Sequence, residues 1–199
     1  MVQELPALPG GPLHRPPRKL TTILCADAVG YARQMHEDEE GTYRNLQNCR
    51  HSIDRLILDH QGRIFGTAGD SVIAEFNSPV EAVRCALEIQ RSIATIGEGH
   101  TDDDRMRFRI GINLGDVIIQ GDDLIGDGVN VAARLETLAE PDGMCLSSSV
   151  FEQVRSKLAL DYEDIGEQSV KNMVEPVRVF RARDRPPPRH LPLARKLRQ

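Results

Sequence analysis

Tryptophan is missing from this sequence and aromatic residues are only 4% of it, so any core has to be packed from aliphatic side chains. The four cysteines, Cys25, Cys49, Cys85 and Cys145, form no C-x-x-C pair and have no histidine at metal-ligand spacing. That excludes a zinc ribbon and a disulfide framework, and leaves buried, reduced thiols. No apolar run approaches the ~18 residues needed to span a bilayer. The first residues carry Pro and Gly where a signal peptide has its apolar stretch, so a cytoplasmic protein is expected. Positive charge is in deficit, with 25 Lys and Arg against 30 Asp and Glu and a net charge of −5. The balance is uneven: residues 181–199 hold seven Lys or Arg and one acid, +6 in all, which leaves −11 for residues 1–180. An acidic body is the wrong surface for nucleic acid, which needs positive charge gathered on a folded patch. The basic tail is either a solvated end or a contact for a regulatory partner.

At 40% hydrophobic and 28% charged, the 199 residues exclude a disordered or fibrous chain and hold one functional domain with tails. Residues 1–18 contain Pro6, Pro9, Pro12, Pro16 and Pro17, too many missing donors for helix or sheet, and read as a flexible lead-in. Residues 184–199, with R-P-P-P, form the basic tail, and the domain is expected over 19–183. Inside it, Leu20 to Ala26 reads as a strand ending at Asp27. Tyr43, Leu46, Ile53, Leu56 and Ile57 recur at helical spacing between Glu39 and about Asp59. A hairpin over 63–76 follows, then a helix opened by Ser78 as N-cap with Pro79 at its first position. From Met106, F-R-I-G-I-N-L and D-V-I-I-Q predict a pair of strands. A helix over 127–138, a short strand over 144–147, a helix over 149–158 and strands near 160–165 and 176–182 complete the order. The fold class is α+β, a ferredoxin-like βαββαβ core with additional C-terminal strands and helix.

Three segments place polar residues where an apolar element ends. In C-A-D-A-V-G-Y, Asp27 closes a strand, and the residues after it can leave backbone N–H groups facing a phosphate. In R-I-F-G-T-A-G-D-S-V-I-A-E-F, Asp70 sits at the tip of a hairpin with apolar arms. Taken singly, Gly69-Asp70 is turn chemistry and Asp27 a strand end. Taken together, a βαββ unit brings the two carboxylates to one edge. Their repulsion is best offset by a divalent cation such as Mg²⁺, which takes hard oxygen ligands and substrate phosphates. The third segment, D-D-L-I-G-D-G-V-N-V-A-A-R-L-E over 122–136, puts Asn130 and Arg134 four apart on one helical face. An amide beside a guanidinium suits a ribose oxygen and a phosphate oxygen; alternatively Asp127 is an N-cap and Arg134 pairs with an exposed acid.

These motifs, in this order and over about 20–182, resemble the catalytic domain of class III nucleotidyl cyclases, the adenylate/guanylate cyclase family. The resemblance implies that Asp27 and Asp70 hold two Mg²⁺ or Mn²⁺ ions and that Ala28, Val29, Gly30 and Tyr31 cradle phosphates. It further implies that Asn130 orients the ribose and that Arg134 stabilises the transition state. The expected activity is conversion of ATP to 3′,5′-cyclic AMP and pyrophosphate, in a homodimer whose sites are shared between chains. Base selection in the family rests on a Lys and an Asp or Thr. Asp123 matches the second, whereas Gly66 stands at the place of the first. GTP therefore remains an alternative substrate, and a catalytically quiet nucleotide-binding or dimerisation module is the alternative function. Lys171 lies near the family's late phosphate-contacting lysine, where the alignment also admits Met173; the other reading is a solvent-facing strand residue.

Overall fold

The computed structural model describes residues 16–98, 104–169 and 176–184. Most of the proline-rich lead, the basic tail from 185 and Lys171 lie outside them. Strand β1 (Arg18–Ala28) is followed by α1 (Tyr31–Glu37) and α2 (Glu39–Asp59), then by the hairpin of β2 (Arg63–Ala68) and β3 (Ser71–Phe76). Next come α3 (Pro79–Ile96), β4 (Phe108–Gln120), β5 (Asp123–Ile125) and α4 (Asp127–Leu138). The chain continues through β6 (Met144–Ser147), α5 (Ser148–Val154), β7 (Leu160–Gln168) and β8 (Val177–Asp184). The sheet runs β2-β3-β1-β4-β6-β8-β7, with β5 paired to β4. Its first four strands are the βαββαβ unit; β6, β7 and β8 extend it through a parallel pairing of β4 with β6.

Local chemistry accounts for the helices that position the hairpin. The Asp38 carboxylate accepts from the Gly41 N–H at 3.0 Å and caps α2, whose first turn carries Glu39 and Glu40 where the helix dipole favours acids. Ser78 caps α3 by accepting from Glu81 N–H, with Pro79 in the first turn. Leu46, Cys49, Ile53, Leu56 and Ile57 of α2 and Ala82, Val83, Cys85, Ala86, Ile89 and Ile93 of α3 are buried against Leu24, Ala26, Val72, Ala74 and Phe76 of the sheet. Tyr43, expected on the apolar face of α2, is 57% exposed and lies off it. The other sheet face is covered by α4, with Val131, Ala132 and Leu135 against Ile23, Cys25, Val117, Cys145 and Val179. All four cysteines are buried and free, and burial pushes the Cys25 and Cys85 thiols up to about 12.

The strand count after Met106 is corrected. Residues 108–120 form a single thirteen-residue strand instead of a pair. β4 stays in antiparallel register with β1 throughout, from Ala28↔Phe108 to Arg18↔Ile118, so Gly115-Asp116 is drawn straight by its partner. The reversal comes later, at Gly121-Asp122, and makes the small β4–β5 hairpin. α5 also stops at Val154, short of the expected 158, and α1 occupies residues to which the sequence pattern assigns no element.

Candidate active site

The site begins with strand alternation. On β1, Leu24, Ala26 and Ala28 face the large core, which turns Ile23, Cys25 and Asp27 toward the α4 side. The β1–β3 register pairs Ala26 with Val72, bringing the β2–β3 turn beside Asp27. That turn is tight because Gly69 adopts φ 60°, a conformation open to glycine at little cost. Asp70 therefore meets Asp27. Burial pushes the Asp70 carboxyl above the usual carboxylate range, opposed by its own N–H, and the neighbouring Asp27 charge raises it further. The Ser71 Oγ–H donates to Asp27 Oδ1 at 2.5 Å.

Two residues missed in the sequence complete this cluster. Arg109, the register partner of Asp27 on β4, donates from Nη2 to Asp27 Oδ2 at 3.4 Å. Its Nε lies 3.0 Å from Oε1 of Glu136 on α4. Gly111 explains how α4 comes so close: a Cβ there would sit 2.2 Å from Ala132 O and Glu136 N, so only glycine lets helix and strand touch. Burial pushes Glu136 up to about 7, with Asp27 and Asp70 adding to the rise and Arg109 opposing it. The signal available in the sequence was an arginine at an inward position of F-R-I-G-I-N-L, alternating with apolar residues.

The predicted residues divide into two groups. Asp27 and Asp70 come together in one chain. Asn130 and Arg134 share a face of α4, but it is the exposed face, opposite buried Ala132 and Glu136. The Arg134 guanidinium makes no hydrogen bond or ion pair among the described residues. Between Ala28 and Tyr31, two amides are already committed: Ala28 N–H bonds the Asp70 carboxylate and Val29 N–H donates to Arg107 O at 2.8 Å. Gly30 is exposed with φ 70°, and Tyr31 packs its ring on the core. Asp123 is exposed at the start of β5. Gly66, on β2, faces Ile73, and a Cβ there would find its nearest atom at 3.4 Å, ordinary contact. The Arg63 guanidinium lies nearby on β2, with Nε at 2.6 Å from Glu75 and Nη1 donating to Asp122 O at 2.7 Å.

The donor set fits a divalent cation: hard carboxylate oxygens in a like-charged pair, with Glu136 Oε1 buried beside them and without a hydrogen bond. Among the described residues no group of three or more His, Cys, Asp or Glu could hold a metal by itself, so water or substrate oxygens would complete the shell around the carboxylates.

Sheet order and helical layers define the class, an α+β domain with a βαββαβ core extended through a parallel β4–β6 pairing by β6, β8 and β7. The family model described as the adenylate and guanylate cyclase catalytic domain matches residues 14–180, and the chain belongs to that family. It is 41% identical over 187 residues to a Rhizobium meliloti protein named "Putative adenylate cyclase 3", covering 88% of this chain and 32% of that protein. The chain thus spans about a third of that relative's length. A crystal structure of an adenylate/guanylate cyclase/hydrolase from Silicibacter pomeroyi matches with TM-score 0.79 and 38% identity, over 84% of this chain and 98% of that one. The adenylyl cyclase CyaB from P. aeruginosa shares the fold at TM-score 0.76 and 22% identity, over 86% of this chain and 97% of that one. No helix among the described residues is long and apolar enough to cross a membrane.

Proposed function

We propose that residues 19–183 are the catalytic domain of a class III adenylate cyclase, cytoplasmic and homodimeric, that converts ATP to 3′,5′-cyclic AMP and pyrophosphate. The observation that carries this reading is the meeting of Asp27 and Asp70, delivered by β1 and by the β2–β3 turn, on the sheet face where α4 packs. These two carboxylates would hold Mg²⁺ or Mn²⁺. When bound, the two cations favour the ribose 3′-alkoxide and neutralise charge on the triphosphate. The rigid hairpin aims Asp70, and Ser71 and Ala28 N–H orient the pair. The Gly30 and Tyr31 N–H groups would donate to phosphate oxygens. From the second chain, Asn130 would orient the ribose and Arg134 would offset charge on the phosphoryl group while the 3′-oxygen bonds to Pα and pyrophosphate leaves. Asp123 accepts from the adenine amino group, and Lys171 contacts the triphosphate. The missing side chain at Gly66 favours a second reading, a quiet nucleotide-binding or dimerisation module, because nothing at that position reads the purine edge.

The test is product formation from ATP and from GTP, with Mn²⁺ and with Mg²⁺, on wild type beside Asp70→Ala. Cyclic AMP is expected from wild type, falling at least about 100-fold in the variant, beyond the 10–100-fold typical of outer partners of metal ligands. A dimeric wild type that yields no cyclic product would favour the quiet module.

A further inference from the structure

Charge bookkeeping around Asp27 singles out Arg109. Asp27, Asp70 and Glu136 put three carboxyl groups in one neighbourhood, and Arg109 is the cation that touches two of them. Its hold is electrostatic: Nη2 to Asp27 is long at 3.4 Å, and although Nε is 3.0 Å from Glu136 Oε1, neither of those atoms makes a hydrogen bond. Bidentate, well-aligned arginine pairs are the ones that lock a guanidinium in place; this one is tethered by charge and free to shift. Ser71 occupies the other Asp27 oxygen, so Arg109 stands on the oxygen that a metal ligand would need.

We propose that Arg109, tethered by Glu136, is the internal counter-ion of the Asp27/Asp70 pair, and that a divalent cation binds there by displacing its guanidinium from Asp27. The proposal rests on the metal-binding reading of the two aspartates. It makes Glu136 a positioning residue: its charge draws Arg109 back and also deepens the negative potential felt by the metal. The two neighbours therefore act on metal affinity in opposite directions. Removing Arg109 deletes a competing positive charge within 4 Å of a ligand oxygen, whereas neutralising Glu136 deletes an attractive one.

The experiment is calorimetric titration of Mn²⁺ at pH 8, above the Glu136 value of about 7, without nucleotide, into the whole chain as wild type, Arg109→Gln, Glu136→Gln and Asp70→Asn. Arg109→Gln is expected to bind Mn²⁺ about tenfold tighter and Glu136→Gln several-fold weaker, the scale set by one unit charge at short range in partly exposed protein. A merely structural role would lower the melting temperature of both and shift their Mn²⁺ Kd in the same direction or not at all. Unchanged or weaker binding by Arg109→Gln, with wild type binding and Asp70→Asn not binding, overturns this inference alone. Wild type and Asp70→Asn behaving alike toward Mn²⁺ overturns the metal reading and this inference with it. Should Arg109→Gln fail to fold, Mg²⁺ titration of wild type followed at arginine Nε–H by ¹⁵N NMR decides. One resonance, displaced in Glu136→Gln, should move with saturation, and no moving resonance would sink the idea.

Discussion

Asp70 costs the fold something: a partly buried carboxyl beside another is held above its usual range, and the apolar arms of its hairpin keep it there. Gly66 is the opposite case, a position where the fold would tolerate more than it has. Its Cβ space meets only Ile73 at 3.4 Å and beyond, and Phe65 forms a bulge in the β2–β3 register just before it. Gly66→Lys is therefore expected to fold and to add a donor on β2. The prediction is a change of about tenfold or more in the ratio of kcat/KM for ATP to that for GTP, since a new donor penalises whichever purine leaves it unpaired. Steady-state kinetics with both nucleotides check it. A ratio within twofold of wild type, in a folded variant, would place base reading elsewhere.

At the scale of elements, α4 works with two faces. Gly128, Val131, Ala132, Leu135 and Glu136 are buried, while Asn130 and Arg134 are exposed. Asn113, itself buried, donates to Gly128 O at 3.0 Å and so sets where that helix starts. On the opposite layer, His60 joins α2 to α3 just ahead of the β2–β3 hairpin: Nδ1 is 2.9 Å from Glu81 and Nε2 is 3.3 Å from Glu88. Burial alone would lower the imidazole, but the two carboxylates outweigh it and raise the His60 value above 6.5. The Glu81 carboxyl, lowered chiefly by its bond to His60 and also paired with Arg84, sits below 4.5. The His60 contribution to stability is thus fully present below about pH 6.5 and is lost as pH rises through its raised value; that of Glu81 is lost as pH falls through its lowered one. His60→Gln is expected to cost about 1 kcal/mol at pH 6, as a cation at a helix C-terminus does. By pH 9 the cost should shrink, read by urea denaturation across the range. A pH-independent difference would show that His60 acts by packing.

Among the described residues, one sheet face is covered by α2, α3 and α5 and the other by α4, leaving the aspartates and the Asn130/Arg134 pair on different parts of one chain. If two chains share their sites head to tail, Asp70→Ala and Arg134→Ala homodimers are each inactive. A mixed dimer then carries one intact site of two. Equal mixing with full exchange should restore about a quarter of wild-type turnover, because half the dimers are mixed and each works at one site. No recovery after exchange is verified by mass spectrometry would mean that each chain builds its own site.

Much was legible in the linear order. The β2–β3 hairpin with its Gly69-Asp70 turn, the Ser78-Pro79 start of α3, the 127–138 helix and the 144–147 strand all rest on near-neighbour chemistry: turn residues, caps and periodicity act within a few residues. The motif residues belong there too, since Asn130 and Arg134 share a helical face by spacing alone. Long-range pairing decided the rest. β1 drew 108–120 into one strand, because ladder hydrogen bonds outweigh the local pull of Gly115 toward a turn. The same register set Arg109 opposite Asp27, and the close approach at Gly111 set Glu136 beside both. By itself, then, the sequence determined most of the elements and the motif residues Asp27, Asp70, Asn130 and Arg134. Only the tertiary structure decided which charges meet, because Coulomb energy depends on separation in space, and the residues that surround Asp27 are far from it along the chain.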